Sequence, residues 1–142
     1  MKDYFAGKIA TDYDRGVAFS FAPAILDPAV QKLSKLASGG DCLEFAIGTG
    51  RVALPLIANG LRVDGIEYSA DMIAQLKTKP GGDTINVRRG DMTTADMDRT
   101  YALVFLVFNT IMNLTTQAAQ VKCFRNAAKH IDKGGKFLVE TM

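Results

Sequence analysis

Apolar residues in this chain gather into five short runs, each with a polar or acidic residue at or near its end. The runs lie at residues 41–47, 61–67, 84–88, 101–108 and 136–140. Tyr101, Ala102, Leu103, Val104, Phe105, Leu106, Val107 and Phe108 form the longest, a continuous apolar stretch of the kind a parallel sheet produces when both its faces are covered. Between the runs the spacing turns helical. Asp27 and Pro28, followed by Ala29, Val30, Leu33 and Leu36, predict an N-cap, an N1 proline and an apolar stripe, closed by Gly39 and Gly40. Ser69 predicts a second N-cap with Asp71 in its first turn. Met72, Ile73 and Leu76 carry that helix to a stop at Pro80, Gly81 and Gly82. Ala118, Val121, Phe124, Ala128 and Ile131 predict another, ended by Gly134 and Gly135. Pro55 falls in the helix expected after residue 50, near enough to its start to be tolerated. Strand and helix in alternation imply an α/β domain with a parallel sheet. Residues 1–142 read as one domain, with N-terminal helices over 1–40 and the alternating core over 41–142. In the first part, Tyr4, Phe5, Ile9, Tyr13, Val17 and Phe19 predict a helix that packs an aromatic face on the core.

Composition leaves this picture unchanged and narrows the function. The 142 residues are 48% hydrophobic and 23% charged, and 17 basic against 15 acidic side chains leave a formal charge of +2. That balance argues against a nucleic-acid surface, and Arg15, Arg88 and Arg89 form no stripe. Cys42 and Cys123 read as reduced core thiols of a cytoplasmic protein, and with a single histidine, His130, they supply no metal set. The longest apolar run is far shorter than a membrane span.

Candidate chemistry concentrates at the ends of the runs. Gly48, Gly50 and Ala53 satisfy the G-x-G-x-x-A spacing of a dinucleotide-binding turn. Glu44 at the end of the preceding run changes its meaning: a pyrophosphate would be repelled by this carboxylate, whereas an ammonium and a sulfonium would be attracted. Glu67, about twenty residues on, stands where a doubly wound sheet brings the second strand beside a nucleotide ribose. Asp91 follows the third run, and Phe108, Asn109 and Thr110 close the fourth.

With Glu44-x-Ala46-x-Gly48-x-Gly50 at its head, the chain resembles the class I S-adenosylmethionine-dependent methyltransferases of small-molecule type, whose first motif is Glu/Asp-x-Gly/Ala-x-Gly-x-Gly. The resemblance implies a Rossmann-like sheet of order 3-2-1-4-5 and S-adenosylmethionine as cofactor. Glu44, Ala46, Gly48 and Gly50 would hold it at the first strand, Glu67, Tyr68 and Met72 at the second. Asp91 would accept from the adenine amine, and Met92 would pack on the ring. Phe108, Asn109 and Thr110 would border the transferred methyl. Tyr13 and Asn113 are pocket candidates, Asn113 equally readable as a helix or turn cap, and Arg51 is either pocket wall or helix surface. No catalytic residue is identified, and His130 lies at the wrong end of the fifth strand to serve as a base.

A small-molecule methyl acceptor is implied, an amino sugar or polyketide-like metabolite, with no nucleic-acid or membrane partner. Two other readings remain: a nicotinamide-dependent oxidoreductase domain, and a non-catalytic nucleotide-binding or assembly module. Family members normally continue past strand five into a helix and an antiparallel strand pair, whereas this sequence stops at Glu140, Thr141 and Met142. The apolar residues Phe137, Leu138 and Val139 are therefore expected to form a bare edge, completed by a longer polypeptide or by a second copy in a homodimer.

Overall fold

A computed structural model describes residues 2–142. Helices α1 (Lys8–Gly16) and α2 (Pro23–Ala37) flank a 3-10 turn, Ala18–Phe21, and lead into β1 (Cys42–Phe45). Then follow α3 (Ala53–Ala58), β2 (Val63–Glu67), α4 (Ala70–Thr78), β3 (Val87–Arg89), β4 (Tyr101–Leu106), α5 (Gln117–Lys129) and β5 (Ile131–Val139). The five strands form one sheet in the order β3-β2-β1-β4-β5, every neighbouring pair parallel, as the sequence implies.

Alternation along the central strands divides the core into two layers. Cys42, Leu103 and Phe105 face Val30 and Leu33 of α2 and Leu56 of α3. Leu43, Phe45, Val104 and Leu106 face Cys123 and Ala127 of α5. Both faces of the sheet are therefore covered, which is why β1 and β2 are buried along their whole length. The crossover from β3 to β4 has no helix and buries Met97 instead.

Four expectations are corrected. Helix α2 starts at Pro23, not Pro28: Ala22 is extended (φ −59°, ψ 137°), and the N–H groups of Ile25 and Leu26 both bond its carbonyl. Pro28 then lies inside the helix and forgoes the bond that its N–H would have made to Ala24. Strand β4 stops at Leu106 because Phe108 (φ 62°) and Asn109 (φ 59°) are both left-handed. Helix α5 is ended by His130, which is buried, and not by Gly134 and Gly135. Those glycines sit inside β5, where the register slips from Tyr101↔Ile131 to Leu103↔Lys136. A Cβ on Gly135 would lie 2.7 Å from Ile131 Cγ2 and 3.0 Å from the Ala102 carbonyl oxygen, so the kink requires a residue without one. Finally, the aromatic face expected of the N-terminal helix is not packed. In α1 only Ala10 is buried and Ile9 is 56% exposed, while Phe19 in the following 3-10 turn is 66% exposed. Polar bonds attach this segment instead.

β5 has a hydrogen-bonded neighbour on one side only among the described residues, so its outer edge is open, as expected. No helix among them is long and apolar enough to cross a membrane.

Candidate functional site

Parallel strands deliver their C-terminal ends to the same side of the sheet, and there β1, β2 and β4 open into a cavity of about 680 Å³. Its floor is the turn after β1. Ala46 (φ 54°), Gly48 (φ 60°) and Gly50 (φ 88°) are all left-handed, so the backbone winds tightly and stays low beneath the cavity. Ala46 and Gly48 line it, but Gly50 does not. A Cβ on Gly50 would lie 2.5 Å from Leu76 Cδ1 and 3.0 Å from Leu54 Cδ1, so this glycine serves the close approach of α4 to the turn.

Glu44 is 4% exposed, and its Oε2 is buried with no hydrogen-bond partner. Burial holds its carboxyl well above the usual carboxylate range; the Arg51 guanidinium opposes that shift and the Glu67 carboxylate adds to it. A buried carboxyl oxygen without a partner, on a residue that lines the cavity, costs free energy that a cationic group could offset.

Glu67, at the tip of β2, is braced from the backbone. Its Oε1 accepts from Gly48 N–H at 2.8 Å and its Oε2 from Ser69 N–H at 2.9 Å. Burial raises its pKa, while the N–H groups of Ser69, Gly48 and Tyr68 pull the other way. Ser69 is the N-cap expected of α4, its hydroxyl accepting from Met72 N–H. Met72, 3% exposed, lies beneath Gly48, and Tyr68 completes this wall. Asp91 and Met92 form the third wall after β3. There Asp91 Oδ1 accepts from the backbone and hydroxyl of Thr93, both at 2.8 Å, which makes Asp91 a turn-holding residue as well as a lining one.

The fourth wall follows β4. Phe108, Thr110 and Asn113 line the cavity, but Asn109 does not: its Oδ1 accepts from Met142 N–H on the far side of the turn. For Asn113 the alternative of a cap on α5 fails, because Thr116 holds that position and accepts from Ala119 N–H. Arg51 proves to be cavity wall. Its guanidinium lies 4.6 Å above the Phe108 ring and donates to the Ser20 carbonyl at 3.0 Å.

Of the roof, the sequence pointed only to Tyr13, a pocket candidate. Residues 2–5 line the cavity together with Tyr13, whose ring meets Phe5 edge-on at 5.8 Å. Burial raises the Tyr13 hydroxyl pKa, with Arg51 opposing, so the phenol remains protonated. Four polar contacts hold the roof down. Gly7 N–H donates to Asp71 at 2.6 Å and Ser69 Oγ to the Phe5 carbonyl at 3.2 Å. Asp14 receives Thr49 Oγ1 at 2.5 Å and pairs with Lys79 at 2.6 Å.

Groups outside the cavity are occupied structurally. His130 Nδ1 lies 2.7 Å from the Asn126 carbonyl and Nε2 accepts from Met97 N–H at 3.0 Å, which fixes the Nδ1–H tautomer. Burial pushes the thiols of Cys42 and Cys123 up to about 12 and about 11, so neither is a nucleophile. Among the described residues no cluster of three His, Cys, Asp or Glu could hold a metal ion.

Known proteins resemble this chain in sequence and fold. Residues 42–135 match a family model described as a methyltransferase domain. The chain is 29% identical over 141 residues to a dTDP-3-amino-3,6-dideoxy-alpha-D-glucopyranose N,N-dimethyltransferase of Streptomyces fradiae, covering 96% of this chain and 54% of that relative. It is 24% identical to a cypemycin N-terminal methyltransferase of Streptomyces sp over 83% of this chain and 50% of the relative. Among solved structures, the CcbJ methyltransferase of Streptomyces caelestis superposes with a TM-score of 0.82 at 33% identity, covering 92% of this chain and 54% of that one. The chain thus spans about half the length of the curated relatives it matches. With its first strand, its glycine turn and the strand-end walls of the cavity inside the matched region, the chain belongs to the methyltransferase-domain family.

Proposed function

We propose that the cavity binds S-adenosylmethionine and that the protein transfers its methyl group to a small-molecule acceptor. The observation that carries this reading is the orphaned oxygen of Glu44. An α-amino group would give that carboxyl a hydrogen-bonded countercharge and so favour its ionised form. A dinucleotide pyrophosphate in the same place would meet Glu44 and Glu67 together, which weighs against the oxidoreductase alternative.

In this reading Glu67 turns its remaining lone pairs to the ribose hydroxyls, since its two backbone bonds leave acceptor capacity on each oxygen. Asp91 accepts from the adenine amine, and Met92, Met72 and Tyr68 enclose the base and ribose. Ala46 and Gly48 let the chain lie close beneath the amino-acid end, where Arg51 supplies the cation for a carboxylate. Bound there, the cofactor would supply a methyl group already attached to its leaving group, so the protein's work is alignment and exclusion of water. Tyr13, Phe108 and Thr110 form the wall on the acceptor side. None of the three is a strong base, which suits a nucleophile that arrives with its own lone pair, such as an amine. The amino-sugar dimethyltransferase among the relatives supports the same acceptor class.

The N-terminal helices over 1–40 and the core over 41–142 act in this scheme as one unit, with residues 2–5 and Tyr13 as roof and α2 as the cover of one sheet face, a reading supported by the bonds of Asp14 to Thr49 and Lys79. The open β5 edge supports pairing with a second copy, for which sedimentation at increasing concentration is the test. The two buried, free cysteines support a reducing, cytoplasmic setting. Titration calorimetry with S-adenosylmethionine, S-adenosylhomocysteine and NAD tests the central reading. Saturable binding of the two sulfur ligands is expected; binding of NAD alone would overturn it.

A further inference from the structure

We infer that Glu140 is a positioning residue of the cavity, acting through Phe108. Glu140 lines no part of the cavity itself. It stands one residue past β5, beside the point where β4 ends, and it grips the turn there with both its main chain and its side chain. Glu140 N–H donates to the Leu106 carbonyl at 3.0 Å, and its own carbonyl accepts from Asn109 N–H at 3.2 Å. Its carboxylate Oε1 accepts from Phe108 N–H at 2.7 Å. The first bond continues the β4–β5 ladder, whereas the second reaches Asn109, one residue beyond the amide a regular parallel ladder would use. The third is not a ladder bond.

What that third bond holds is an improbable backbone. Phe108 and Asn109 are consecutive non-glycine residues at positive φ, 62° and 59°. Asparagine adopts this region readily, whereas for phenylalanine it is strained and persists only where the surroundings over-determine it. A charge-assisted bond to the Phe108 amide does so at the strained residue itself. Left-handed at 108, the chain turns out of the strand and sets the ring in the cavity wall, under the Arg51 guanidinium at 4.6 Å and beside the Phe19 ring at 6.2 Å. Relaxed to an extended conformation, residue 108 would continue β4 and carry its ring out of register with both. The carboxylate of Glu140 thus decides whether the wall nearest the reacting centre exists in its working form.

This inference rests on the cavity being the cofactor site, and the experiment separates the two. Wild type, Glu140→Ala and Glu140→Gln are compared by amide hydrogen exchange at Phe108 in labelled protein, and by calorimetry with S-adenosylhomocysteine. In Glu140→Ala, Phe108 exchange should accelerate and S-adenosylhomocysteine affinity should fall, each by about tenfold, the scale of losing one charge-assisted bond. Glu140→Gln keeps an oxygen at the same place and should recover most of both. Unchanged Phe108 exchange in Glu140→Ala, or equal losses in the Gln and Ala variants, would overturn the inference. Failure of the wild type to bind S-adenosylhomocysteine would overturn the cofactor reading alone, because the exchange comparison still decides the role of Glu140.

Discussion

Glu67 reaches across from β2 to accept the backbone N–H of Gly48, 2.8 Å away, so that a proposed ligand-binding carboxylate also fixes the turn on which the ligand would lie. The two functions are coupled through one side chain. Glu67→Ala is expected to weaken S-adenosylhomocysteine binding by about 1–3 kcal/mol and to lower the melting temperature of the ligand-free protein as well. Glu67→Gln, which keeps one carbonyl oxygen, should lie between them. Calorimetry and thermal unfolding on the same samples check this; a loss of affinity with no loss of stability would show that the brace to Gly48 is idle.

For Glu44 stability and function should move in opposite directions. Its carboxyl is held above the usual range, chiefly by burial. A folded-state pKa above the unfolded value means that stability present at low pH is lost as pH rises through the folded value. Glu44→Gln removes that loss. Without ligand, the variant should therefore be more stable than wild type by a margin that widens as pH rises above the ordinary carboxylate range. In wild type the affinity for S-adenosylmethionine should climb with the same rise in pH, since the ammonium needs the ionised carboxylate, and in Glu44→Gln it should be low and flat. Thermal unfolding and calorimetry as a function of pH read both; a wild type more stable than the variant at the alkaline end would contradict the burial argument.

Gly50→Ala should separate packing from recognition. The new methyl would meet Leu76 and Leu54, and φ of 88° is strained for alanine. A destabilisation of about 2–4 kcal/mol is expected from the clash and the backbone together. Because Gly50 lies outside the cavity lining, affinity measured on the folded fraction should change little. A large loss of affinity in a protein of normal stability would return Gly50 to the binding turn.

Asp14→Ala removes two of the four attachments of the roof, those to Thr49 and Lys79. Each partly exposed contact contributes about 1 kcal/mol or less, so global stability should fall only slightly. The roof should nonetheless lift more often. Trypsin cleavage after Lys8 and Arg15 should accelerate in the variant and slow again with S-adenosylhomocysteine present. Cleavage at the wild-type rate would mean that other contacts hold α1.

How far the sequence could be read followed from how local each signal was. A carboxylate at the end of an apolar run is a local pattern, and Glu44, Glu67 and Asp91 all arrive at one cavity because parallel strands point the same way. The start of α2 was not legible because Pro23 and Pro28 satisfy the same N1 preference, and only the Ala22 carbonyl, used by two amides, decides between them. Gly134 does take a positive φ, 82°, but a helix stop and an irregularity within a strand can use that conformation equally, and Gly135 is needed for close approach instead. Gly48 and Gly50 share one motif, yet one faces the cavity and the other faces Leu76, a distinction set by packing from a later helix. The roof at residues 2–5 had no signal at all: its anchors, Ser69 and Asp71, lie more than sixty positions along the chain, 64 in each case.

The place of β1 at the centre of the sheet has a consequence for the chain during synthesis. Cys42 is registered against Val63 on one side and Leu103 on the other, so β1 leaves the ribosome long before its second neighbour is made. Until β4 docks, the Glu44 side chain is still in water and ionised. Its dehydration is incurred when the central strand is finally enclosed, late in an assembly already slowed by distant parallel pairing. A ligand that offers Glu44 a countercharge would then be a partner in the closing step of folding as well as a reactant.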